Sequence, residues 1–138
     1  MKINISPTIY EKIKNIAKKN GFDLVVLFGS QISGRIHSES DIDIGIYSSS
    51  GILWDKTNII AKEFSEIFKS NNIDLNIISS NNPVLMNTIL TTGTIVYESE
   101  KDVANNLKLY SWKLVAESKS FRDRVFELLK ARVANITI

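Results

Sequence analysis

The chain contains no cysteine, one histidine and two prolines. Without thiols it forms no disulfide, no thiolate nucleophile and no cysteine-based zinc site. A lone histidine, His37, cannot build a histidine metal site. Any metal must therefore be held by carboxylate oxygens, which suit Mg²⁺ or Mn²⁺. Six glycines and two prolines are too few for a collagen-like or low-complexity chain. No apolar run reaches the roughly 18 residues of a membrane helix. Met1-Lys2-Ile3-Asn4 leads into a polar, lysine-bearing segment with no signal-peptide core, so the expected location is the cytoplasm, with no membrane partner.

What is present is ordinary for a globular domain: 138 residues, 43% apolar and 23% charged. That length fits one domain with a real core, so residues 1–138 are expected to fold as a single unit. The net charge is +2, unevenly spread. Residues 1–20 carry +4, residues 21–100 carry −6 and residues 101–138 carry +4. The basic ends are read first as solvated helix faces and second as surfaces for an acidic partner or nucleic acid.

The chemistry concentrates between Leu24 and Ile46, in LVVLFGSQISGRIHSESDIDIGI. Leu24 to Phe28 reads as a short buried strand. Gly29 lets the backbone leave it without a Cβ clash. Ser30 stands where a helix can start, and free N–H groups beside a hydroxyl suit a phosphate. Further on, Ile42, Ile44 and Ile46 alternate with Asp41, Asp43 and Gly45, the pattern of a strand with one apolar face. Asp41 and Asp43 then share the other face, about 6–7 Å apart along the strand. Two carboxylates on one face make poor core packing but a good hard-cation site. A third acid, Asp74, interrupts the apolar alternation of Ile73, Leu75 and Ile77 in a later strand. Arg35 is the sole arginine before residue 122 and lies in the intervening loop, where it can pair with phosphate. His37 is read as a loop residue, and Trp54 and Trp112 as core or interface anchors.

The remaining pattern alternates helix and strand. Ser6-Pro7 caps a first helix that ends at Asn20-Gly21. Strands are expected at about Asp23 to Phe28, Asp41 to Tyr47, Ile73 to Ile78 and Thr94 to Tyr97. Helices are expected at 30–36, from Trp54 to Ser70 with Asn71-Asn72 closing it, and from Asn82-Pro83 to Gly93. From Lys101 to Val133 there is neither glycine nor proline, and Leu107, Leu114, Phe121 and Leu128 recur every seven residues. One long helix or two consecutive ones result, part of which can project from the domain. The fold class is α/β: a small mixed sheet flanked by helices, with a long C-terminal helical segment.

The spacing Gly29-Ser30, ten residues, Asp41-Ile42-Asp43, with Ser40 just before the pair, resembles the signature of the DNA polymerase β-like nucleotidyltransferase superfamily. The resemblance covers roughly Leu24 to Tyr97 and implies a catalytic core at about 22–98, followed by the helical segment at about 101–135. It further implies that Asp41, Asp43 and Asp74 are catalytic and hold two Mg²⁺ ions, with Mn²⁺ as the substitute. Gly29, Ser30, Ser40 and Arg35 would bind the nucleotide. Many relatives carry basic residues where this chain has Gln31 and Ser33. The small size resembles the minimal nucleotidyltransferase antitoxins, which are paired with HEPN-family ribonuclease toxins in type VII-like toxin–antitoxin modules. That resemblance implies transfer of AMP from ATP to a tyrosine of the cognate toxin, release of pyrophosphate and a complex with that toxin. Direct nucleic-acid binding is not expected, since the chain has no room for the domains that hold a strand. Two other readings stand beside this one: an antitoxin that acts by contact alone, and a nucleotidyltransferase of a cationic small molecule such as an aminoglycoside.

Overall fold

The structure, a computed structural model, describes residues 5–28, 41–52 and 54–136. In chain order the elements are α1 (Pro7–Asn20), β1 (Leu24–Phe28), β2 (Ile42–Tyr47), a 3₁₀ turn (Trp54–Lys56), α2 (Thr57–Phe68), β3 (Ile73–Ile77), α3 (Pro83–Thr92), β4 (Thr94–Glu98) and α4 (Val103–Ile136). The four strands form one sheet in the order β3-β2-β1-β4. β1 runs antiparallel to both β2 and β4, and β2 runs parallel to β3. The expected mixed α/β architecture is thus what the chain adopts. The short helix expected at 30–36 lies outside the described residues.

Local signals explain where the helices start. The Ser6 hydroxyl accepts from the Ile9 N–H at 3.3 Å, Pro7 occupies the first turn, and Gly21 closes α1 with φ 71°. Asn82 caps α3 by accepting from the Leu85 N–H at 3.2 Å, again with a proline following. The stretch expected as one helix from Trp54 to Ser70 is instead a 3₁₀ turn leading into α2. α2 stops at Phe68, because Lys69 takes a left-handed conformation (φ 53°), and not at Asn71-Asn72.

The sheet is covered on both faces. Val25, Leu27, Ile42, Ile44 and Ile46 pack against Ile13, Ala17, Ile60 and Phe64 of α1 and α2. Leu24 and Val26 pack against Met86, Ile89 and Leu90 of α3 and Ala104 of α4. Burial on both sides is why β1 reads as an uninterrupted apolar run. Two glycines let α3 lie close. At Gly45 a Cβ would meet Ile89 Cγ2 at 3.0 Å and Ile78 Cδ1 at 3.2 Å. At Gly93 it would overlap the Val26 side chain and the Ile89 carbonyl.

The C-terminal segment is one helix of 34 residues, about 50 Å long at 1.5 Å per residue. Its first half packs on the α3 side of the sheet through Ala104, Leu107 and Leu114. The buried Ser111 hydroxyl accepts from Asn87 Nδ2 at 2.9 Å and donates to the Lys108 carbonyl at 2.7 Å. Residues 122–136 are all exposed, so the second half projects. Trp112 is 54% exposed, so it is not the core anchor its size suggested. No helix among the described residues is long and apolar enough to cross a membrane.

Candidate active site

β2 places its acids by alternation. Ile42, Ile44 and Ile46 enter the core beneath the sheet, so Asp43 and Gly45 must face the α3 side. α3 covers Gly45 but does not reach over Asp43. β3 lies parallel to β2 in a register that pairs Asp43 with Asp74, while Ile73, Leu75 and Ile77 pack into the same core as the isoleucines of β2. In-register residues on neighbouring strands share a face. The two carboxylates therefore meet side by side on the open part of the sheet.

On its other side Asp43 is paired with Phe28, the last residue of β1. Phe28 and Asp41 are the described residues on either side of positions 29–40. Asp41 is exposed and stands just ahead of β2. The Ile42 N–H donates to the Asn72 carbonyl at 2.8 Å, which ties the start of β2 to the loop before β3. Asp41, Asp43, Asn71, Asn72, Ile73 and Asp74 line an open cleft of about 430 Å³. A larger cleft of about 620 Å³ lies at the far ends of β2 and β3, between Tyr47, Asn76 and Leu85. None of the residues lining it is acidic or basic, whereas the smaller cleft gathers Asp41, Asp43 and Asp74.

The electrostatics agree. Burial pushes the Asp43 carboxyl above the ordinary aspartate range, and a hydrogen bond with Asp74 and the negative charges of Asp74 and Asp41 push it further. Asp23, at the opposite end of β1, is the contrasting case. It accepts from the Ser49 N–H at 2.7 Å and from the Ser99 hydroxyl at 3.0 Å, and its carboxyl is held below the usual range, chiefly by the Ser49 bond. Asp23 is a tie between β1, the β2 loop and the end of β4. Asp43 is a carboxylate under strain from its neighbours.

The chain belongs to the polymerase beta nucleotidyltransferase family. The family profile, described as polymerase beta, nucleotidyltransferase, matches residues 11–102, more than half of the chain. No curated protein matches the nucleotidyltransferase in sequence. Solved structures do match in fold. A toxin–antitoxin structure with AMP-PNP superposes with a TM-score of 0.72 at 21% identity, over 88% of this chain and 98% of that one. A chain from the complex of tri-AMPylated Shewanella oneidensis HEPN toxin with MNT antitoxin gives 0.69 at 19% identity, over 89% and 97%. A chain of the MntA-HepT toxin–antitoxin gives 0.69 at 18% identity, over 91% and 99%. At these identities the likeness is one of fold.

Of the residues singled out in this nucleotidyltransferase, Asp41, Asp43 and Asp74 come together at one cleft. Gly29, Ser30, Arg35 and Ser40, with Gln31, Ser33 and His37, lie outside the described residues. Among the described residues no three acidic, histidine or cysteine side chains form a group able to hold a metal ion by themselves. The pair Asp43–Asp74 is hydrogen-bonded, and Asp41 acts on it through charge. Oxygen-only donors, bearing an excess of negative charge that raises Asp43, nonetheless fit a hard divalent cation, since a cation relieves the repulsion the three acids create. Sequence reasoning missed Asn71 and Asn72 as cleft walls, having taken them only as a helix stop. Their place directly before an acid-bearing strand was the available signal.

Proposed function

We propose that the chain is a toxin–antitoxin nucleotidyltransferase that moves AMP from ATP onto a tyrosine hydroxyl of a HEPN-family toxin and thereby neutralises it. One observation carries the reading: Asp43 sits between Phe28, which Gly29-Ser30 follow in sequence, and Asp74 on the neighbouring strand. The family membership and the fold shared with MNT antitoxin chains support it, one of those chains being in complex with a tri-AMPylated toxin and another being from a structure with AMP-PNP.

In this reading Gly29 and Ser30 receive the β- and γ-phosphates, and Arg35 pairs with the triphosphate. Ser40 would bind the same nucleotide. Asp41, Asp43 and Asp74 would hold Mg²⁺, or Mn²⁺ in its place. When bound, such ions neutralise phosphate charge and lower the pKa of an acceptor hydroxyl. Asp74 would lie toward the acceptor hydroxyl and help hold the ion that activates it. The tyrosine oxygen forms a bond to that phosphorus as the bond to the β-phosphate bridging oxygen breaks. Pyrophosphate leaves with that oxygen, and the phenolic proton passes to Asp74. The open cleft, bounded by Asn71 and Asn72, leaves space for a protein side chain to enter.

The test is incubation of the purified chain with labelled ATP, Mg²⁺ and the HEPN-family protein encoded beside it. The partner should take up label, and Asp41→Ala or Asp43→Ala should abolish the uptake. If those substitutions remove labelling yet leave neutralisation intact, the chain acts by contact alone. Label appearing on an aminoglycoside but not on the protein would overturn the acceptor assignment.

A further inference from the structure

Along α4, positions eighteen apart lie on the same line, since eighteen residues make about five turns at 3.6 residues per turn. The face that packs onto the domain is Ala104, Leu107, Ser111, Leu114 and Ser118, all buried or half-buried. Eighteen residues on, that face continues as Arg122, Val125, Leu129, Arg132 and Ile136. Here it is open to solvent: Leu129 is 54% and Ile136 75% exposed, and Leu128 on its flank is 65% exposed. The helix thus extends its own packing face for about 27 Å past Ser118, the last half-buried residue on that face. An apolar stripe of this kind on a projecting helix marks an interaction surface.

The charges select the occupant. Residues 119–136 hold five basic and two acidic side chains, and Arg122 and Arg132 stand on the stripe itself. Lys119 is already paired with Asp123 at 2.7 Å. A second copy would bring like charges together along the same face. A lipid surface would have to take Arg122 and Arg132 into its apolar layer. A protein groove with an apolar floor and carboxylates at its rim satisfies both features. Direction agrees with this. α4 begins beside Glu98, whose side chain accepts from the Ala104 N–H at 2.8 Å, and by Ser111 it has reached Asn87, half-way along α3. Its course is from the Glu98 end of the sheet toward the end that carries Asp43 and Asp74, because β4 and β1 are antiparallel with Glu98 opposite Leu24.

We infer that the second half of α4 is a docking arm for an apolar, acid-rimmed groove on the acceptor protein, gripping it through Val125, Leu129 and Ile136 with Arg122 and Arg132 on its carboxylates. The identity of that acceptor rests on the function proposed above; the arm itself does not.

The experiment uses the full-length chain and the HEPN-family protein encoded beside it, with binding measured by calorimetry. Leu129→Asp should weaken binding by about 30-fold or more, the size of an interface hot spot. Arg122→Glu with Arg132→Glu should weaken it about 10-fold or more. Arg124→Glu, about 120° round the helix from the stripe, should stay within about 3-fold. Circular dichroism should show unchanged helix content in all three, since these residues are exposed. The chain alone should sediment as a monomer. Unchanged binding by Leu129→Asp, or equal losses from Arg124→Glu, overturns the arm. A homodimer that Leu129→Asp dissociates reassigns the stripe to a second copy and overturns it too, as does binding to anionic vesicles that Leu129→Asp abolishes. The two proposals fail separately. Arm-dependent binding without AMP transfer removes the transfer reading and leaves the arm. AMP transfer that Leu129→Asp leaves undiminished at limiting partner removes the arm and leaves the transfer.

Discussion

Asp43→Asn should make the protein more stable and catalytically dead. The side chain keeps its size and its place beside Asp74 but loses the charge that burial, Asp74 and Asp41 all penalise. Neighbouring strands lie about 4.8 Å apart, and two carboxylates at that separation repel by about 1 kcal/mol in bulk water and about 3 kcal/mol at an effective dielectric of 20. Asp74 is exposed and the cleft is open, so the lower figure applies. About 1 kcal/mol in a domain of this size raises the melting temperature by about 3–5 °C. The sign with pH follows from linkage. The folded-state pKa of Asp43 lies above the unfolded aspartate value near 4, so the folded state holds its proton longer. Stability from Asp43 is therefore present below about pH 4 and declines as pH rises through the folded-state value. The gain from Asp43→Asn should appear at neutral pH, without divalent cations, and vanish at about pH 4. Thermal melts followed by circular dichroism at the two pH values measure it. A variant destabilised equally at both would show that Asp43 is a structural carboxylate, not one strained by its neighbours.

Adding Mg²⁺ at neutral pH should raise the melting temperature of the unaltered chain and move Asp43→Asn much less, since the cation supplies the charge compensation that the substitution removes; scanning calorimetry with and without chelator checks this. Asp23→Asn should behave oppositely to Asp43→Asn. The folded-state pKa of Asp23 is lowered by the Ser49 N–H and the Ser99 hydroxyl, so its stabilisation is present above the unfolded value near 4 and is lost as pH falls through the folded-state value. A pH series of urea melts should therefore show the variant weaker at neutral pH and equal to the parent in acid. Gly93→Ala should cost about 2–4 kcal/mol, because a Cβ there overlaps the Ile89 carbonyl and Val26 where β4 leaves α3. Its urea midpoint should fall with little change in slope.

Much of the fold was legible because its signals are local. Ser6-Pro7 and Asn82-Pro83 cap helices through contacts three residues away, and Gly21 closes one by its own backbone freedom. Alternation in β2 and β3 named the acids on the open face, because one face of each strand must enter the core. The failures were of two kinds. Lys69, which ends α2, has no side-chain feature that marks a left-handed residue; the neighbouring asparagines looked better suited. Trp112 was expected in the core or at an interface, and the core half of that reading fails: the α3-facing line of α4 passes through Leu107, Ser111 and Leu114, which leaves residue 112 turned away. The register of β2 on β3 was not readable at all. It depends on how α2 returns the chain, and a slip of one residue would have put Asp74 beside an isoleucine.

That register is also why the acids belong to one site and not to two strands that happen to carry them. Separating Asp74 from Asp43 by a one-residue slip would turn Ile73, Leu75 and Ile77 out of the core. The chain pairs the two acids and then ties the start of β2 to Asn72, which keeps Asp41 at the same end. Glycine at position 45 lets α3 settle close enough to cover the next position on that face. The boundary between a covered sheet and an open one therefore falls between Gly45 and Asp43. A fold selected only for stability would place a small polar or apolar residue at that boundary. Burial and the charges of Asp74 and Asp41 weigh against the Asp43 carboxylate in the free protein, and a bound cation would relieve that cost.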